Sequence, residues 1–359
     1  METICPSCGV PLIISRTHEW RNGCIANRAD GSANFSVYEA SFHNGVFERL
    51  ERQLGPTINR MVYIAGRVAA AEIARNLFSS RALTQRLLFR SPLYRLTQRK
   101  LILFTRSIGM GRIELLAHRR GKEGAVRVSD PFHLAHCTAV ILGGLDVMYG
   151  FPVSFTARVE GEAYLGELVP GKKDSLGGED AYRRLASERF IPSPLQDGKM
   201  FPSCRRCGAP LELGRSFSFD LQGGVITERE TGDRCIFYGH RSLHAILREF
   251  ELELGPEVRG LFVEAEREGF SAKLARHPDY GLSWDLKSLR SYLALRGMGF
   301  LSRLEVKGDG VELELSNAFV PTVAVGRLVA LWEGCAGKRA DYTYGMEGNT
   351  LLLRITPAG

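Results

Sequence analysis

The sequence contains none of the motifs that identify the common enzyme classes. It lacks a Gly-x-Ser-x-Gly nucleophile elbow, a His-Glu-x-x-His motif and a P-loop, and its Gly-x-Gly pairs lack the third glycine of a dinucleotide fingerprint. These absences argue against a hydrolase of the α/β type, a zinc protease and a nucleotide-binding enzyme. We therefore favour a protein that catalyses no reaction.

Long apolar runs are also missing. No stretch approaches the roughly 20 uncharged apolar residues of a membrane-spanning helix. The N-terminal residues Met1 to Cys5 have neither a basic region nor an apolar signal core, so we expect a cytoplasmic protein with reduced thiols. In that setting eight cysteines, four of them in Cys-x-x-Cys pairs, indicate a metal site more than a disulfide framework.

The sequence does contain one short motif that occurs twice. CPSCGVPL at residues 5–12 returns as CRRCGAPL at residues 204–211. The match continues, because residues 41–56 align without a gap with residues 241–256 and both segments end in Leu-Gly-Pro. We interpret the chain as two tandem copies of one domain.

The first copy is assigned to residues 1–170 and the second to 201–359, with a linker over 171–200 that contains a short helix from Glu179 to Phe190. Each copy predicts a small β unit, three helices, a Gly-x-Gly turn, a hairpin, a fourth helix and two closing strands. The predicted fold is α+β, with helices packed on an antiparallel sheet and a zinc knuckle at the head of each copy.

Two local predictions complete this scheme. The apolar residues Leu12 to Ile14, and their counterparts from Leu211 to Phe219, are predicted to form strands. Asp130 and Asn317 precede the fourth helix of each copy and are predicted to be its N-cap residues.

Each Cys-x-x-Cys knuckle supplies two thiolates, half of a tetrahedral zinc site. Either each knuckle recruits ligands from its own copy, or the two knuckles share one zinc ion. The candidates for the first arrangement are Cys24, His18, Cys235 and His240. Those for the second are Cys5, Cys8, Cys204 and Cys207. We favour the shared site, since only these four cysteines occur equivalently in both copies; four thiolates leave no open position, so the zinc would be structural.

Other candidate site residues have less specific patterns. His133 and His136 lie three apart near the start of the fourth helix, and we interpret them as partly exposed helix residues. His240 and His244 lie four apart at a helix start; an auxiliary metal ligand is one interpretation of the pair, and we favour a capping or surface role. Several aromatic residues of the second copy suit either a ligand pocket or an ordinary core: Trp284, Trp332, Tyr292, Phe300 and Phe319.

This order of motifs resembles the 4-vinyl reductase domain family, in the variant with an N-terminal Cys-x-x-Cys-Gly knuckle. The residues that carry the resemblance, with their second-copy partners, are Cys5-Pro-Ser-Cys8-Gly9, Trp20-Arg-Asn-Gly23, Leu54-Gly55-Pro56, Gly109-Met-Gly111 and Asp130-Pro-Phe132. The family includes a bacteriochlorophyll-pathway protein, the sensor domains of phenol- and xylene-responsive activators, and distant subunits of the eukaryotic TRAPP transport particle. The resemblance implies a fold with an enclosed apolar pocket, used for binding or scaffolding.

One departure from the family limits what carries over. Members that sense aromatics hold a metal through a Glu and several Cys in the closing strands, whereas residues 158–170 and 340–357 contain no cysteine. We therefore expect a zinc-stabilised protein, packed as an intramolecular pseudo-dimer, that binds a hydrophobic or aromatic small molecule or a partner protein without catalysis.

Two alternatives remain open at this point. The first is an accessory or assembly subunit of a larger enzyme, for which the knuckles and a basic run from Arg86 to Arg120 would be docking surfaces. The second is a nucleic-acid-binding regulator that uses the same features and the net charge of +7. Leucines and phenylalanines interleave with the arginines of that run, which favours ordinary helices with one buried face.

Overall fold

The computed structural model describes residues 3–79, 94–119, 123–149, 153–161, 163–170, 189–195 and 200–359. The helices in these ranges are α1 (Leu12–Thr17), α2 (Ala40–Leu54), α3 (Thr57–Ser79), α4 (Tyr94–Ser107), α5 (Leu134–Tyr149), α6 (Leu211–Ser216), α7 (His240–Leu254), α8 (Val258–Arg276), α9 (Leu286–Leu295) and α10 (Pro321–Ala336). None of them is long and apolar enough to cross a membrane.

The strands form antiparallel sheets, so the fold is mixed α and β, as predicted. The strands of the N-terminal half are β1 (His18–Arg21), β2 (Cys24–Asn27), β3 (Ala33–Glu39), β4 (Arg112–Arg119), β5 (Glu123–Ser129), β6 (Val153–Glu160) and β7 (Ala163–Pro170). Those of the C-terminal half are β8 (Phe217–Asp220), β9 (Val225–Glu228), β10 (Arg234–Gly239), β11 (Phe300–Lys307), β12 (Gly310–Ser316), β13 (Ala340–Glu347) and β14 (Thr350–Pro357).

Two four-stranded sheets have the same topology. Their strand orders are β4-β5-β7-β6 and β11-β12-β14-β13. In β12, Val311, Leu313 and Leu315 are buried, and they alternate with less buried residues because successive side chains of a strand point to opposite faces. We name residues 57–170, where described, the N-terminal body and residues 258–359 the C-terminal body.

Each body is held by an equivalent ion pair between its two long helices. In the N-terminal body, Arg67 on α3 donates from Nε and Nη2 to both carboxylate oxygens of Asp146 on α5, at 2.8 and 2.7 Å. In the C-terminal body, Arg267 on α8 donates from Nε to Glu333 on α10 at 2.9 Å. Each arginine also donates to a backbone carbonyl at the start of the following strand. Such two-pronged pairs fix the relative orientation of two helices.

The remaining strands join both halves into one sheet of six strands in the order β1-β2-β3-β10-β9-β8, which we name the central sheet. At its middle, β3 and β10 are antiparallel, with Glu39 opposite Cys235 and Phe35 opposite Gly239. The helices that follow these strands are exchanged, since α2 packs on α8 and α7 packs on α3. The first segment of each half therefore packs against the body of the other half.

This exchange explains the Gly-x-Gly motifs that end at Gly111 and Gly299. The N–H of Gly111 donates to the carbonyl of Gly224 at 2.9 Å, and the N–H of Gly299 donates to the carbonyl of Gly23 at 3.0 Å. A Cβ atom on Gly224 would lie 2.1 Å from the Gly111 oxygen. Each hairpin turn of the central sheet thus rests on the Gly-x-Gly turn of the opposite body, where only glycine permits this approach.

The strand predicted at Leu12 to Ile14 is wrong, because these residues begin helix α1, and the counterpart α6 occupies Leu211–Ser216. A short apolar run has no periodicity that separates a strand from a buried helical turn. The sequence also predicts only a hairpin behind each knuckle, whereas the structure adds a third strand, β3 or β10.

The predicted N-caps are also wrong. Asp130 and Asn317 adopt left-handed conformations, with φ of 47° and 60°, and lie before their helices instead of capping them. Asp130 accepts a hydrogen bond from Arg234 of the opposite half at 2.7 Å. The predicted linker helix falls mostly on residues 171–188, outside the described residues, as do residues 86–93 and 120 of the basic run.

Candidate functional site

An apolar cavity of about 150 Å³ lies between the N-terminal body and the central sheet. Its walls come from α3, α4, α5, β4 and β5 of the body, from β10 and α7 of the C-terminal half, and from Phe35 of β3. Among the apolar side chains that line it are Leu101, Phe104, Ile108, Val126, Phe132 and Phe237. An apolar cavity of this size can hold a benzene-sized molecule.

Small residues on the facing helices open this space. Ala70 and Ala74 of α3 and Gly144 of α5 all line the cavity. A Cβ atom on Gly144 would meet nothing closer than Leu101, at 4.0 Å, whereas one on the adjacent Gly143 would lie 2.3 Å from the backbone oxygen of Arg67. The two glycines therefore have different roles. Gly143 allows α5 to pack closely on α3, and Gly144 leaves part of the cavity unfilled.

A pair of polar rings lies in the cavity wall. The hydroxyl of Tyr238 on β10 is 3.0 Å from Nδ1 of His136 on α5, and the two rings stack at 4.6 Å. Both residues are buried, so the prediction of a partly exposed His136 is wrong. Burial, with a smaller contribution from His133, lowers the pKa of His136 to about 3, and burial raises the pKa of Tyr238. The pair is therefore uncharged at neutral pH.

The central sheet meets the C-terminal body in the same way, but there the space is filled. Counterpart positions follow from the aligned segments and from the equivalent arginine–carboxylate pairs of the two bodies. Four residues that line the cavity have larger or charged counterparts at the C-terminal body. The pairs are Gly239 and Glu39, Val140 and Arg327, Ile108 and Arg296, and Ala70 and Phe270. Small or aliphatic residues of the cavity thus correspond to larger or charged residues in the other half.

The charged replacements form a buried ion cluster. The carboxylate of Glu39 lies 2.7 Å from Nζ of Lys273 and 2.6 Å from Nη2 of Arg327, and Glu228 pairs with both Lys273 and Arg296. Each of these five side chains is at most 4% exposed. Buried ions of opposite charge stabilise one another only as a complete set.

The pKa values follow from these partners. Burial by itself would raise the pKa of Glu39, but Arg327, Lys273 and Arg296 outweigh it and hold the pKa below the usual range of a carboxyl. Glu266, beside Arg327, differs, because burial raises its pKa to about 7 and Arg327 opposes that shift only in part. Glu39 is therefore ionised at neutral pH, whereas Glu266 titrates there.

The aromatic residues that the sequence offered as pocket residues do not line the apolar cavity. Trp332 is buried in the core, Tyr292 accepts a hydrogen bond from Arg327 at 2.9 Å, and Phe319 packs against Phe190 at 5.0 Å between ring centroids. Trp284 is half-buried against the core, and Phe300 is buried. Trp332 and Tyr292 are the counterparts of Leu145 and Phe104, which line the apolar cavity, and Tyr292 lines a separate polar pocket with Tyr280 and Arg296.

The two knuckles come together in one cluster. Sγ of Cys5 lies 3.8 Å from Sγ of Cys204, Sγ of Cys8 lies 3.4 Å from Sγ of Cys207, and all four sulfurs lie within 4.8 Å of one another. In each knuckle a backbone N–H donates back to the first cysteine's carbonyl, from Gly9 at 2.8 Å and from its counterpart Gly208 at 2.8 Å. Four sulfur donors at this spacing can hold one metal ion.

The alternative ligands lie outside this cluster and have hydrogen bonds of their own. Cys24 donates to the carbonyls of Asn22 and Asn317, and Cys235 donates to that of Asp233. The two histidines bond to neighbouring side chains: His18 to Thr17 and Asn34, and His240 to Ser36.

No protein-family model matches the chain, and no curated protein sequence matches it either. Among solved structures, the phenol-responsive sensory domain of the transcription activator PoxR with phenol is similar over 41% of this chain and 87% of that domain, at 19% identity and a TM-score of 0.33. A structure that concerns the molecular mechanism of H-NOX activation is similar over 34% of this chain and 78% of its own, at 15% identity and a TM-score of 0.25. At these scores neither likeness assigns the chain to a family.

Proposed function

We propose that this protein binds one small, uncharged aromatic molecule in the cavity of its N-terminal half and releases it unchanged, as a ligand sensor of the 4-vinyl reductase domain type. The observation that carries the proposal is the apolar cavity of about 150 Å³ with a neutral polar pair in its wall. A charged ligand is disfavoured, because none of the described residues that line the cavity carries an ionised side chain to offset its desolvation.

The polar pair favours a ligand that carries a hydroxyl or a similar group. A tyrosine hydroxyl can donate and accept, and a neutral imidazole offers one donor and one acceptor nitrogen. Tyr238 and His136 can therefore exchange hydrogen bonds with a phenolic group, while the aliphatic walls bury the ring. Phenol and its small homologues fit both the volume and this polarity.

We further propose that the four-cysteine cluster holds one structural zinc ion shared by two duplicated halves. Around a tetrahedral zinc with Zn–S bonds of about 2.3 Å, sulfurs lie about 3.8 Å apart. The Cys5–Cys204 separation of 3.8 Å agrees with that figure, and the Cys8–Cys207 separation of 3.4 Å is slightly shorter. Such an ion would fasten the two halves of the pseudo-dimer together.

Calorimetry and native mass spectrometry with benzene, toluene, phenol and 1-naphthol test the ligand. We expect one molecule of phenol per chain, weaker binding of the two hydrocarbons, no binding of the two-ring compound and recovery of unaltered phenol. Gly144→Leu places the side chain of its counterpart Leu331 in the cavity and should abolish binding. Gly334→Leu, on an exposed part of α10, is the matched control. Phenol binding that survives Gly144→Leu would refute this site.

Metal analysis tests the zinc. We expect one zinc per chain, lost on either Cys5→Ser or Cys204→Ser and retained in Cys335→Ser, since Cys335 is exposed and lies outside the cluster. Two zinc ions per chain, lost one at a time by the two cluster substitutions, would contradict a shared site.

A further inference from the structure

One wall of the apolar cavity is the central sheet, which lies outside the N-terminal body. Ile236 to Gly239 of β10 line the cavity, and they are part of the central sheet. Backbone hydrogen bonds at two points hold this wall to the N-terminal body, from Phe237 N–H to the Ile108 carbonyl at 2.9 Å and from Gly111 N–H to the Gly224 carbonyl at 2.9 Å. Correct placement of the central sheet is therefore a condition for a closed cavity.

The cysteine cluster is connected through the short helices α1 and α6 to both outer strands of that sheet. The knuckles precede the strands β1 and β8, and Val10 and Ala209, just after each knuckle, are buried in the main core. The contact between the knuckles and the short helices is close, because a Cβ atom on Gly214 of α6 would lie 1.7 Å from the Cys8 carbonyl oxygen. A metal ion in the cluster would thus hold the heads of both halves in one arrangement.

The central sheet meets each body at one junction, and the two junctions are held by different interactions. The C-terminal body has the equivalent backbone bonds, from Val37 N–H to the Arg296 carbonyl at 2.8 Å and from Gly299 N–H to the Gly23 carbonyl at 3.0 Å. It adds the buried ion cluster around Glu39. The N-terminal junction has the cavity in its place and an ion pair from Arg234 to Asp130, whose carboxylate side chain is 67% exposed.

We propose that metal binding at the cysteine cluster and ligand binding in the apolar cavity are thermodynamically linked, with the central sheet as the coupling element. The metal holds β10 against the N-terminal body and raises the affinity of the cavity. By reciprocity, a ligand in the cavity raises the affinity of the cluster for the metal by the same factor. This inference rests on the proposed function of the cavity and assigns a regulatory role to the metal.

Amide hydrogen exchange tests the mechanical part without any ligand. The full chain is compared with zinc bound and after removal of zinc by a chelator. We expect exchange to accelerate at Gly111 and Phe237, and to accelerate much less at Gly299 and Val37, which the ion cluster secures. Equal acceleration at both junctions, or none at the first, would overturn the proposal. If the metal-free chain unfolds altogether, the measurement of zinc binding with and without phenol tests the linkage on the folded protein.

The affinity for zinc is measured at equilibrium, by competition with a chromogenic chelator of known affinity, with and without saturating phenol. We expect phenol to raise the zinc affinity by about 5-fold to 150-fold, the usual range of coupling between linked sites. Gly144→Leu should remove the effect of phenol, and Gly334→Leu should retain it. An unchanged zinc affinity in a protein that calorimetry shows to bind phenol would overturn the linkage. Failure of the zinc-loaded protein to bind phenol would instead overturn the proposed function and leave the exchange experiment to decide the mechanical coupling.

Discussion

The central sheet meets two bodies of the same topology, and it meets them through opposite chemistry. Against the N-terminal body it encloses an apolar cavity with the neutral pair His136 and Tyr238. Against the C-terminal body it buries Glu39 among Lys273, Arg327 and their partners. The bodies are otherwise held alike, since each has the same arginine–carboxylate pair between its long helices.

This difference teaches how one scaffold can hold an apolar cavity in one half and the buried ion cluster in the other. A few exchanges of side chain decide the outcome, and Gly239 against Glu39 is the clearest of them. Burial of the ion cluster costs desolvation free energy that its ion pairs must offset. Removal of any one charged side chain therefore destabilises the protein. The cavity gives up dispersion contacts and leaves space for a ligand.

The largest loss of stability is expected when the buried ion cluster loses one of its charges. Glu39→Gln removes the carboxylate that pairs with Lys273 and Arg327 and leaves buried cations uncompensated. We expect the free energy of unfolding, measured by urea denaturation at pH 7, to fall by about 3–5 kcal/mol. Glu253→Gln, at an exposed position of α7, should change it by less than about 0.5 kcal/mol. A loss of unfolding free energy no larger than that of the control would show that the cluster does not need the Glu39 carboxylate.

The shared ion pairs should respond equally in the two bodies. Asp146→Asn and Glu333→Gln each weaken the partner of a buried arginine. We expect each variant to lose about 1–3 kcal/mol of unfolding free energy. Denaturation of both variants in parallel checks this, and a loss confined to one body would mean that the two are not held alike.

The adjacent glycines of α5 should respond with opposite signs. Gly143→Ala drives a methyl group against the Arg67 backbone and should cost about 1–3 kcal/mol. Gly144→Ala points into the cavity, and the better helix propensity of alanine should stabilise the protein by about 1 kcal/mol. Melting temperatures of the two variants provide the test. A Gly144→Ala variant less stable than the parent would contradict an open space at that position.

The two junctions should also differ in their response to acid. The folded-state pKa of His136, about 3, is below that of the unfolded chain, so the unfolded state takes up the proton and stability falls as pH drops below about 6.5. The pKa of Glu266 is raised to about 7, so the folded state takes up the proton first and stability rises over the same interval.

Between pH 7.5 and 5.5, His136→Leu should therefore lessen the loss of unfolding free energy by about 1 kcal/mol, and Glu266→Gln should increase that loss by a similar amount. Urea denaturation at the two pH values checks both signs. Identical pH dependence in both variants and the parent would contradict the burial of these two groups in their ionisable states. His18 and His240, with pKa values lowered by burial to about 4 and about 3, add to the acid sensitivity of all three proteins.

Local patterns were enough to predict much of the fold. The helix over residues 41–56 is observed as α2, and the hairpin after Gly111 is observed as β4 and β5, because spacing of apolar residues and glycine turns act within one element. The repeated knuckle identified Cys5 and Cys204 as partners, since equivalent residues of two similar units can meet at one axis. The mixed α and β class with antiparallel sheets followed from the same patterns.

Local sequence patterns could not predict the apolar cavity or the buried ion cluster. His136 looks like a surface residue beside His133, and Lys273, Arg296 and Arg327 look like ordinary exposed positions of their helices. Their burial depends on β3 and β10, which lie about 200 residues apart and pair only after the first segments of the two halves have been exchanged.

The sequence by itself thus determined most of the elements, because these depend on neighbours in the chain, and the repeat of the knuckle singled out the four cysteines. Tertiary structure alone decided which half is open and which is closed. The physical reason is that a cavity and a buried charge are both properties of what surrounds a side chain. Here Glu39 and Tyr238, from opposite halves of the chain, supply the decisive part of those surroundings.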